Sequence, residues 1–179
     1  MKKVLHILGI LDDDDIDWMM GVGTTRELGF GEYLVEQGTK SERMFIILNG
    51  QVDVSVHSKN VAKLGSGEIV GEMGFLDTRP ASANVVALED VTVLQLDYAD
   101  LKARLTSNPH FKGRFFHALG AFLTQRLRSL NMSMVSDETL IVDRDALDEE
   151  ELDPETLEMV SIAGARFRHM IEKLTGHQG

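Results

Sequence analysis

The sequence contains no cysteine. This absence excludes a disulfide-stapled scaffold, thiolate metal sites, iron–sulfur clusters and cysteine nucleophiles. The 179 residues are 43% hydrophobic and 26% charged, which is an ordinary composition for a globular protein. We therefore expect one domain, or one domain with an appendage, that buries its core without covalent crosslinks.

Basic residues are scarce relative to acidic ones. The chain has 18 lysines and arginines against 29 aspartates and glutamates, which gives a net charge of −11. Proteins that bind duplex nucleic acid need a basic surface to neutralise the phosphates. The charge balance therefore predicts no direct binding of nucleic acid.

Long apolar runs are also lacking. The longest run near the N-terminus, residues 4–11, is followed directly by four consecutive aspartates. Such a run is too short to span a bilayer, and it ends unlike a signal peptide. We expect no membrane association and a cytoplasmic location.

Acidic residues are concentrated towards the C-terminus. Residues 1–131 have 14 basic and 17 acidic side chains, whereas residues 132–179 have 4 and 12. Ten of these acids lie within 137–155, a density that is typical of a solvated connector. We predict a first domain over 1–131, followed over 132–179 by an acidic connector and a C-terminal amphipathic helix.

Short segments between residues 33 and 96 have the character of strands. Val52, Val54 and Val56 alternate with polar residues, which is the period of a half-buried strand. Glycines separate the segments, and short strands at this spacing are typical of a barrel or a sandwich. The predicted strands are 33–35, 44–48, 52–57, 61–64, 84–88 and 91–96.

Helices are predicted on both sides of the strands. The first 24 residues have a helical pattern, and Asp97 and Asn108 are each placed to cap a later helix. The helix that starts at Pro109 should run to about residue 131. Its apolar face must cover the barrel or a partner chain. That face consists of Phe116, Leu119, Leu123, Leu127 and Leu130, and Phe115 and Phe122 widen it.

The predicted C-terminal helix, residues 154–175, has a narrow heptad seam. The seam residues are spaced three and four apart. They are Leu157, Val160, Gly164, Phe167, Ile171 and Leu174. Three uses of the seam remain open: it adds a second seam to an oligomer, packs back on its own barrel, or binds another protein.

The segment 67–85 carries the chemistry. It reads as a strand, a glycine turn, one helical turn, a loop and a second strand. Gly71 and Gly74 allow close approach to the backbone, and the free amides of a helix that starts after Glu72 attract phosphate. Glu72 can accept hydrogen bonds from sugar hydroxyls. An acid beside an anion site is otherwise unfavourable, so the segment indicates a ligand with both a phosphate and a diol.

Residues 4–131 resemble the cyclic nucleotide-binding domain family, the sensor type of catabolite activator protein and of the regulatory subunit of cyclic-AMP-dependent kinase. The resemblance rests on the leading helix around 11–20, the segments 31–38 and 44–52, and the phosphate-binding cassette 71–85. It implies a fold that is mainly β with flanking helices. The expected architecture is a double-stranded β-helix, or jelly roll, followed by long C-terminal helices.

The resemblance also implies a ligand, a partner and residue roles. The ligand would be cyclic AMP or cyclic GMP, and a homodimer would form through the helix 109–131. In the family the cassette glutamate, here Glu72, binds the ribose 2′-hydroxyl, while backbone amides hold the cyclic phosphate. Ser82 and Ala83 match the positions that follow the family's arginine. The expected ligand-binding residues are Gly71, Glu72, Met73, Gly74, Arg79, Ala81, Ser82 and Ala83.

The sequence departs from the family at one position. When the cassette is aligned with the family's pattern without gaps, the position of the family's phosphate-binding arginine is Ala81. Loss of such a buried, charge-assisted contact costs roughly 2–5 kcal/mol and lowers affinity by roughly 30- to several thousand-fold. Arg79 precedes Pro80, which biases it to an extended backbone, so it should face the same side as Ala81 and could replace the lost cation from the rim. The alternative is that Arg79 is a solvated loop residue.

Two functions fit these residues, and neither is enzymatic. One is a stand-alone regulatory sensor that binds cyclic nucleotide weakly or atypically because of Ala81. The alternative is a pseudo-sensor, a dimerisation or interaction module without a nucleotide ligand, with the helix 154–175 as a surface for a partner protein.

Two other functional classes are disfavoured by the sequence. A jelly-roll metal enzyme needs clustered ligands, and only His57 of the six histidines lies in the strand region. A DNA-reading module after residue 131 would need a longer and more basic segment than the sequence provides there.

Overall fold

The computed structural model describes residues 5–135 and 154–176. Two helices, α1 (Leu5–Ile10) and α2 (Asp13–Val22), precede the strands. The strands of the described part are β1 (Thr24–Leu28), β2 (Tyr33–Val35), β3 (Arg43–Asn49), β4 (Val52–Val56), β5 (Lys59–Leu64), β6 (Ile69–Val70), β7 (Asn84–Ala87) and β8 (Val91–Asp97). The remaining helices are α3 (Glu72–Asp77), α4 (Tyr98–Ser107), α5 (Pro109–Val135) and α6 (Pro154–Thr175).

Two four-stranded antiparallel sheets form the body of the fold. Their strand orders are β1-β8-β3-β6 and β2-β7-β4-β5. Because neighbouring strands are mostly not consecutive in sequence, the chain crosses repeatedly between the sheets, as it does in a jelly roll. The predicted fold class, mainly β with flanking helices, is confirmed. All six predicted strands are present, and the structure adds β1 and β6.

Alternation along the strands divides the apolar residues between two cores. On β3, Phe45 and Ile47 belong to the core between the sheets. Met44, Ile46 and Leu48 face the other way, into a second core that the helices cover. Strand β3 is therefore packed on both of its faces. The cassette follows β6, which is its neighbour in the sheet.

An ion pair holds the start of α5 against α2. Asp12 caps α2 in a reciprocal capping box with Asp15. Asp15 is fully buried, and the Arg114 guanidinium of α5 donates to its two carboxylate oxygens at 2.7 and 3.0 Å. Arg114 also lies 2.7 Å from a carboxylate oxygen of Asp12. This forked contact fixes the first turns of α5 on the domain.

Both predicted caps stand at helix starts, but only one of them caps with its side chain. The Asn108 side chain accepts a hydrogen bond from the Phe111 amide at the start of α5. Asp97 precedes α4 without such a bond. Its carboxylate accepts instead from the Arg43 guanidinium at 3.2 Å, because the two residues are paired across β3 and β8.

The apolar face predicted for α5 is only partly correct. Leu119 is buried, but Leu127 is 58% exposed. The face turned to the domain consists of Phe111, Phe115, Ala118, Leu119 and Phe122. The exposed apolar residues of the helix are Phe116, Leu127 and Leu130. A homodimer through 109–131 stays a prediction, and this exposed stripe is the surface it would use.

The division predicted at residue 131 stays a prediction, and two observations bear on it. Helix α5 continues through this position to Val135. Helix α6, from the second predicted segment, packs on α1 and α2, with Ala163 and Met170 in the helical core. The described part of the C-terminal segment thus lies against the first domain.

A cation from α6 reinforces this packing. Arg166 donates to the carbonyl oxygen of Leu8, near the C-terminal end of α1, at 2.9 Å, and to Asp13 at 2.6 Å. A positive charge is favourable at a helix C-terminus, where carbonyl groups lack intrahelical partners. Packing back on its own barrel is one of the three uses predicted for the heptad helix. In the structure α6 lies on α1 and α2 of the same domain. A partner protein on α6 stays a prediction.

We expect Gly9→Ala to loosen α6 without unfolding the barrel. A Cβ at Gly9 would lie 2.6 Å from the Met159 side chain and 2.9 Å from its carbonyl oxygen, so α6 must shift. Hydrogen exchange of the α6 amides should become faster, while exchange in β3 and β8 stays slow. Gly21→Ala is the control, because a Cβ there meets nothing within 4 Å. It should stabilise α2 by about 0.5–1 kcal/mol. Unchanged α6 protection in the Gly9 variant would contradict the close contact.

Candidate ligand-binding site

The cassette starts with a turn that only glycine can make. Strand β6 ends at Val70, and Gly71 has a φ of 92°. A Cβ at Gly71 would collide with the carbonyl oxygen of Arg43. The carbonyl of Gly71 accepts a hydrogen bond from the Tyr98 hydroxyl, so α4 holds the turn in place. Helix α3, a loop and β7 follow, in the order that the motif predicts.

A cavity of about 80 Å³ lies between the cassette, the barrel strands and α5. All eight predicted ligand-binding residues line it: Gly71, Glu72, Met73, Gly74, Arg79, Ala81, Ser82 and Ala83. The structure therefore brings the predicted set together around one space. Their roles in binding stay predictions.

Glu72 is buried and already has a cationic partner. Its residue surface is 2% exposed. The Arg126 guanidinium of α5 donates from Nη1 to Oε1 of Glu72 at 2.8 Å. Burial raises the pKa of the Glu72 carboxyl above its usual value, and the charge of Arg126 only partly opposes this effect. The carboxylate is a costly group in this position, and Arg126 stabilises its charged form.

Sequence reasoning missed Arg126, although a signal for it exists. Arg126 follows Phe122 by four residues and Leu119 by seven. Residues with these spacings lie on one face of a helix. Because Phe122 and Leu119 are buried against the domain, Arg126 is the next residue along the buried face.

Ala81 is fixed by its backbone. Its amide donates to the carbonyl of Thr39 and its carbonyl accepts from the amide of Gly38, both at 2.8 Å. Ala81 and Ala83 are half-buried and pack against the core between the sheets, whereas Ser82 is exposed. The position where the family has its arginine is therefore a rigid point on the cavity wall.

Arg79 lies at the rim of the cavity with its side chain 83% exposed. Its backbone amide donates to Asp77 at 3.0 Å, and its guanidinium lies 3.9 Å from the same carboxylate. This is the solvated arrangement that was the alternative to replacement of the lost cation. A contact between Arg79 and a ligand phosphate would require the side chain to turn inward, and it stays a prediction.

Tyr98 is a second cavity residue that sequence reasoning missed. Burial, together with the nearby charges of Glu72 and Asp77, raises the pKa of Tyr98 to about 12. The hydroxyl therefore stays protonated into the alkaline range and remains a donor to Gly71. The ring also packs edge-on against Phe75 of α3, with centroids 5.2 Å apart. Tyr98 thus contacts the cassette at two points, the Gly71 carbonyl at its start and the Phe75 ring in α3.

Two features of the described ranges bear on other functions. In residues 5–135 and 154–176, no group of three or more histidine, aspartate or glutamate side chains could hold a metal ion. Over the same ranges, no helix combines the length and the apolarity needed to cross a membrane.

The family model described as the cyclic nucleotide-binding domain matches residues 25–108. Residues 25–108 form a cyclic nucleotide-binding domain. The match includes the whole cassette, while Arg126 lies outside it. In the described part of the chain no DNA-binding domain accompanies the cyclic nucleotide-binding domain.

Relatives of the domain occur in several types of protein. The chain is 35% identical over 89 residues to the Pycsar effector protein PaPycTIR of Pseudomonas aeruginosa, which covers 49% of this chain and 29% of the relative. It is 28% identical over 129 residues to the cyclic AMP receptor protein of Thermus thermophilus, which covers 69% of this chain and 58% of the relative. The chain thus spans less than two thirds of the length of these curated relatives.

Solved structures share the fold. A cyclic nucleotide-binding domain from Methylobacillus flagellatus has a TM-score of 0.69 at 23% identity, with 77% of this chain and 83% of that chain covered. The catabolite activator protein of Thermus thermophilus has a TM-score of 0.58 at 23% identity, with 93% and 84% covered. At these identities the similarity establishes the architecture alone.

Proposed function

We propose that the domain is a regulatory sensor that binds a cyclic nucleotide weakly or atypically. The observation that carries this proposal is the buried Glu72 carboxylate on the wall of a cavity that all eight predicted ligand-binding residues line. A buried charge costs stability, and well-packed apolar residues would often serve the fold better. A carboxylate kept at such a cost at the start of α3, where helix amides lack intrahelical partners, fits a ligand that has both hydroxyl groups and an anion.

Weak or atypical binding follows from the charges around the cavity. Ala81 supplies no cation, and the Arg79 guanidinium is exposed to solvent. Helix amides would have to hold the phosphate largely alone, and they contribute less than a buried forked guanidinium. The similarity to the Pycsar effector proteins and to the cyclic AMP receptor protein supports a sensor module. Cyclic AMP and cyclic GMP are the first ligands to test.

Thermal unfolding with cyclic nucleotides tests the proposal. At a concentration of 100 times Kd, a ligand adds about 2.7 kcal/mol to the free energy of unfolding, which raises Tm by roughly 5–10 °C for a chain of this size. Because the proposed binding is weak, we expect a smaller shift, of a few degrees at most, with a cyclic nucleotide at millimolar concentration and none with the corresponding linear 5′-monophosphate. Glu72→Gln should abolish the shift, whereas the exposed control Glu89→Gln should preserve it. A shift that survives Glu72→Gln would count against this site.

The second candidate function is the pseudo-sensor. Two observations favour it: the cavity of about 80 Å³ is well below the ~300–1,000 Å³ of ordinary small-molecule sites, and Glu72 already has an internal partner. Under this alternative the fold serves dimerisation or protein interaction through α5 and α6. Absence of a thermal shift with every cyclic nucleotide would favour it.

A separate variant tests the role of Arg79. If a shift occurs and Arg79→Ala abolishes it, Arg79 does supply the missing cation.

A further inference from the structure

A second cavity shares no lining residue with the cassette cavity. Its volume is about 270 Å³, against about 80 Å³ at the cassette, and it lies close to the lower end of the ~300–1,000 Å³ of ordinary small-molecule sites. Strands β1, β8 and β3 form one wall, and the C-terminal end of α6 forms the other. We propose that this cavity binds a small organic amine, independently of the cassette.

The strand register places a row of polar side chains along the sheet wall. Glu27 of β1 and Asn49 of β3 are both paired with Thr92, which lies between them on β8. Because neighbouring strands are about 4.8 Å apart, the three side chains form a continuous row across the sheet. Thr25 precedes Glu27 by two residues and therefore lies on the same face. Each of these side chains has an oxygen that can accept a hydrogen bond.

An irregularity in β3 adds an apolar side chain to this row. Leu48 and Asn49 both line the cavity, although consecutive residues of a regular strand face opposite sides of the sheet. The pairing of β3 with β8 shifts its register between Ile47 and Asn49. Such a bulge re-aims side chains. The sheet wall therefore offers an apolar surface beside the polar row.

The wall formed by α6 is apolar but has a negative end. Ile171 and Leu174 line the cavity, and the helix ends at Thr175. The last carbonyl groups of a helix lack intrahelical partners and carry partial negative charge. Lys173, the basic residue of this last turn, does not line the cavity and instead contacts Asp17 of α2 at 3.3 Å. The cavity thus receives the negative end of α6 without its nearby cation.

The charges around the cavity select a cationic ligand. Glu27 is the one charged side chain among the lining residues of the described part of the chain, and nothing within 5–135 or 154–176 forms an ion pair with it. Arg26 is its neighbour in β1 and lies on the opposite face of the strand. An ammonium group has three donors, which match the acceptors of the polar row. The apolar part of an amine would lie between Leu48 and the α6 wall.

A ligand in this cavity would stabilise the docked position of α6. Its two walls belong to different elements, so the complete site exists when α6 lies on the domain. A ligand that binds one state of a protein shifts the population towards that state. Hydrogen exchange in the last turns of α6 should therefore become slower when the amine is bound.

A titration followed by backbone amide NMR shifts tests the proposal with three probes of matched shape. The probes are cyclohexylmethylamine, cyclohexylmethanol and cyclohexanecarboxylate, each at up to millimolar concentration. We expect the amine to bind most tightly, the carboxylate not to bind, and the shifts to lie in β1, β8 and the end of α6. Glu27→Gln should raise Kd for the amine about three- to tenfold and leave Kd for the alcohol unchanged. Glu36→Gln is the matched control, because Glu36 is exposed and lies outside this cavity.

Thr92→Val provides a second test within the polar row. It keeps the shape of the side chain and suits a strand, but it removes the central acceptor, so amine binding should weaken. Equal binding of all three probes would overturn the proposal, since the cavity would then be an apolar groove without preference for a cation. Shifts confined to residues 71–83, or no binding of the amine, would also overturn it. The proposed binding of a cyclic nucleotide does not depend on any of these results.

Discussion

Ala81→Arg should bind a cyclic nucleotide roughly 30- to several thousand-fold more tightly than the parent protein. The expected gain corresponds to the roughly 2–5 kcal/mol of a buried, charge-assisted contact between a guanidinium and a phosphate. The structure favours such a contact because two backbone hydrogen bonds, to Thr39 and Gly38, fix position 81 on the cavity wall. A side chain that starts from this point borders the cavity.

The same substitution should destabilise the protein without ligand. The cavity has little free volume, and added side-chain atoms in a packed region typically cost about 1–3 kcal/mol. The new guanidinium would also share the cavity with Arg126, with only Glu72 to offset the two positive charges. A ligand phosphate relieves this repulsion. The variant should therefore have a lower Tm than the parent without ligand and a larger shift with it.

Ala83→Arg is the control for the position of the new charge. Ala83 is also half-buried, lines the same cavity and packs against the same core. It does not stand where the family has its arginine, so the charge alone should bring little gain. The measurement is isothermal titration of both variants with cyclic AMP and cyclic GMP. A folded Ala81→Arg variant with no gain over the parent would show that the cassette amides no longer form an anion site.

The strands show how far a local pattern predicts this fold. Alternating valines and flanking glycines identify β4 and its neighbours, because their inward residues are apolar and their outward residues polar. Strand β1 has the sequence TTREL, and only Leu28 is buried. Strand β6 has two residues, too few to show a period. Both are strands because β8 and β3 supply their hydrogen-bond partners, which the local sequence does not reveal.

The apolar face of α5 is predicted only in part, for a different reason. Its sequence has two adjacent apolar stripes, one through Phe115 and Phe122 and one through Phe116 and Leu127. Helical periodicity fits both of them, and only tertiary packing determines which stripe faces the domain. Arg114 takes part in that choice, since its pairing with Asp15 sets the rotation of the helix. A contact between residues so distant in sequence is not readable from spacing.

The candidate site also has residues that the sequence predicts and residues that it does not. Its eight cassette residues could be predicted because they lie in one segment whose glycines and acid form a recognisable motif. Arg126 comes from another helix, 54 residues beyond Glu72, and reaches the cavity only because α5 is rotated towards it. The exposure of Arg79 was not predictable either, since an extended backbone leaves its side chain free to choose between solvent and cavity. Long-range placement, rather than residue type, separates the two groups.

Arg114→Ala should lower the free energy of unfolding by about 3–5 kcal/mol, which is the cost of leaving a buried charge without its partner. For a chain of this size the loss corresponds to a fall in Tm of roughly 6–20 °C. Asp15 is fully buried, and Arg114 donates to both of its carboxylate oxygens. Arg43→Ala is the control. It removes a pair with Asp97 in which both side chains are 53% exposed, and it should cost at most about 1 kcal/mol.

The pH dependence of this loss of stability should identify Asp15 as its source. Burial alone would raise the pKa of the Asp15 carboxyl, but hydrogen bonds from Arg114 and from the Asp12 backbone hold it below its usual value. A lowered carboxyl pKa contributes stability that is fully present above the pKa of the unfolded chain, about 4, and is lost as the pH falls through the folded value. Thermal melts from pH 7 to pH 3 should therefore show the widest gap in Tm between parent and Arg114→Ala at neutral pH. The gap should narrow as the pH falls, first where the buried and unpartnered Asp15 of the variant takes up a proton, and then as the pH falls through the lowered pKa of the parent. A gap that stays constant across the whole range would mean that Arg114 stabilises the fold by packing rather than by its charge.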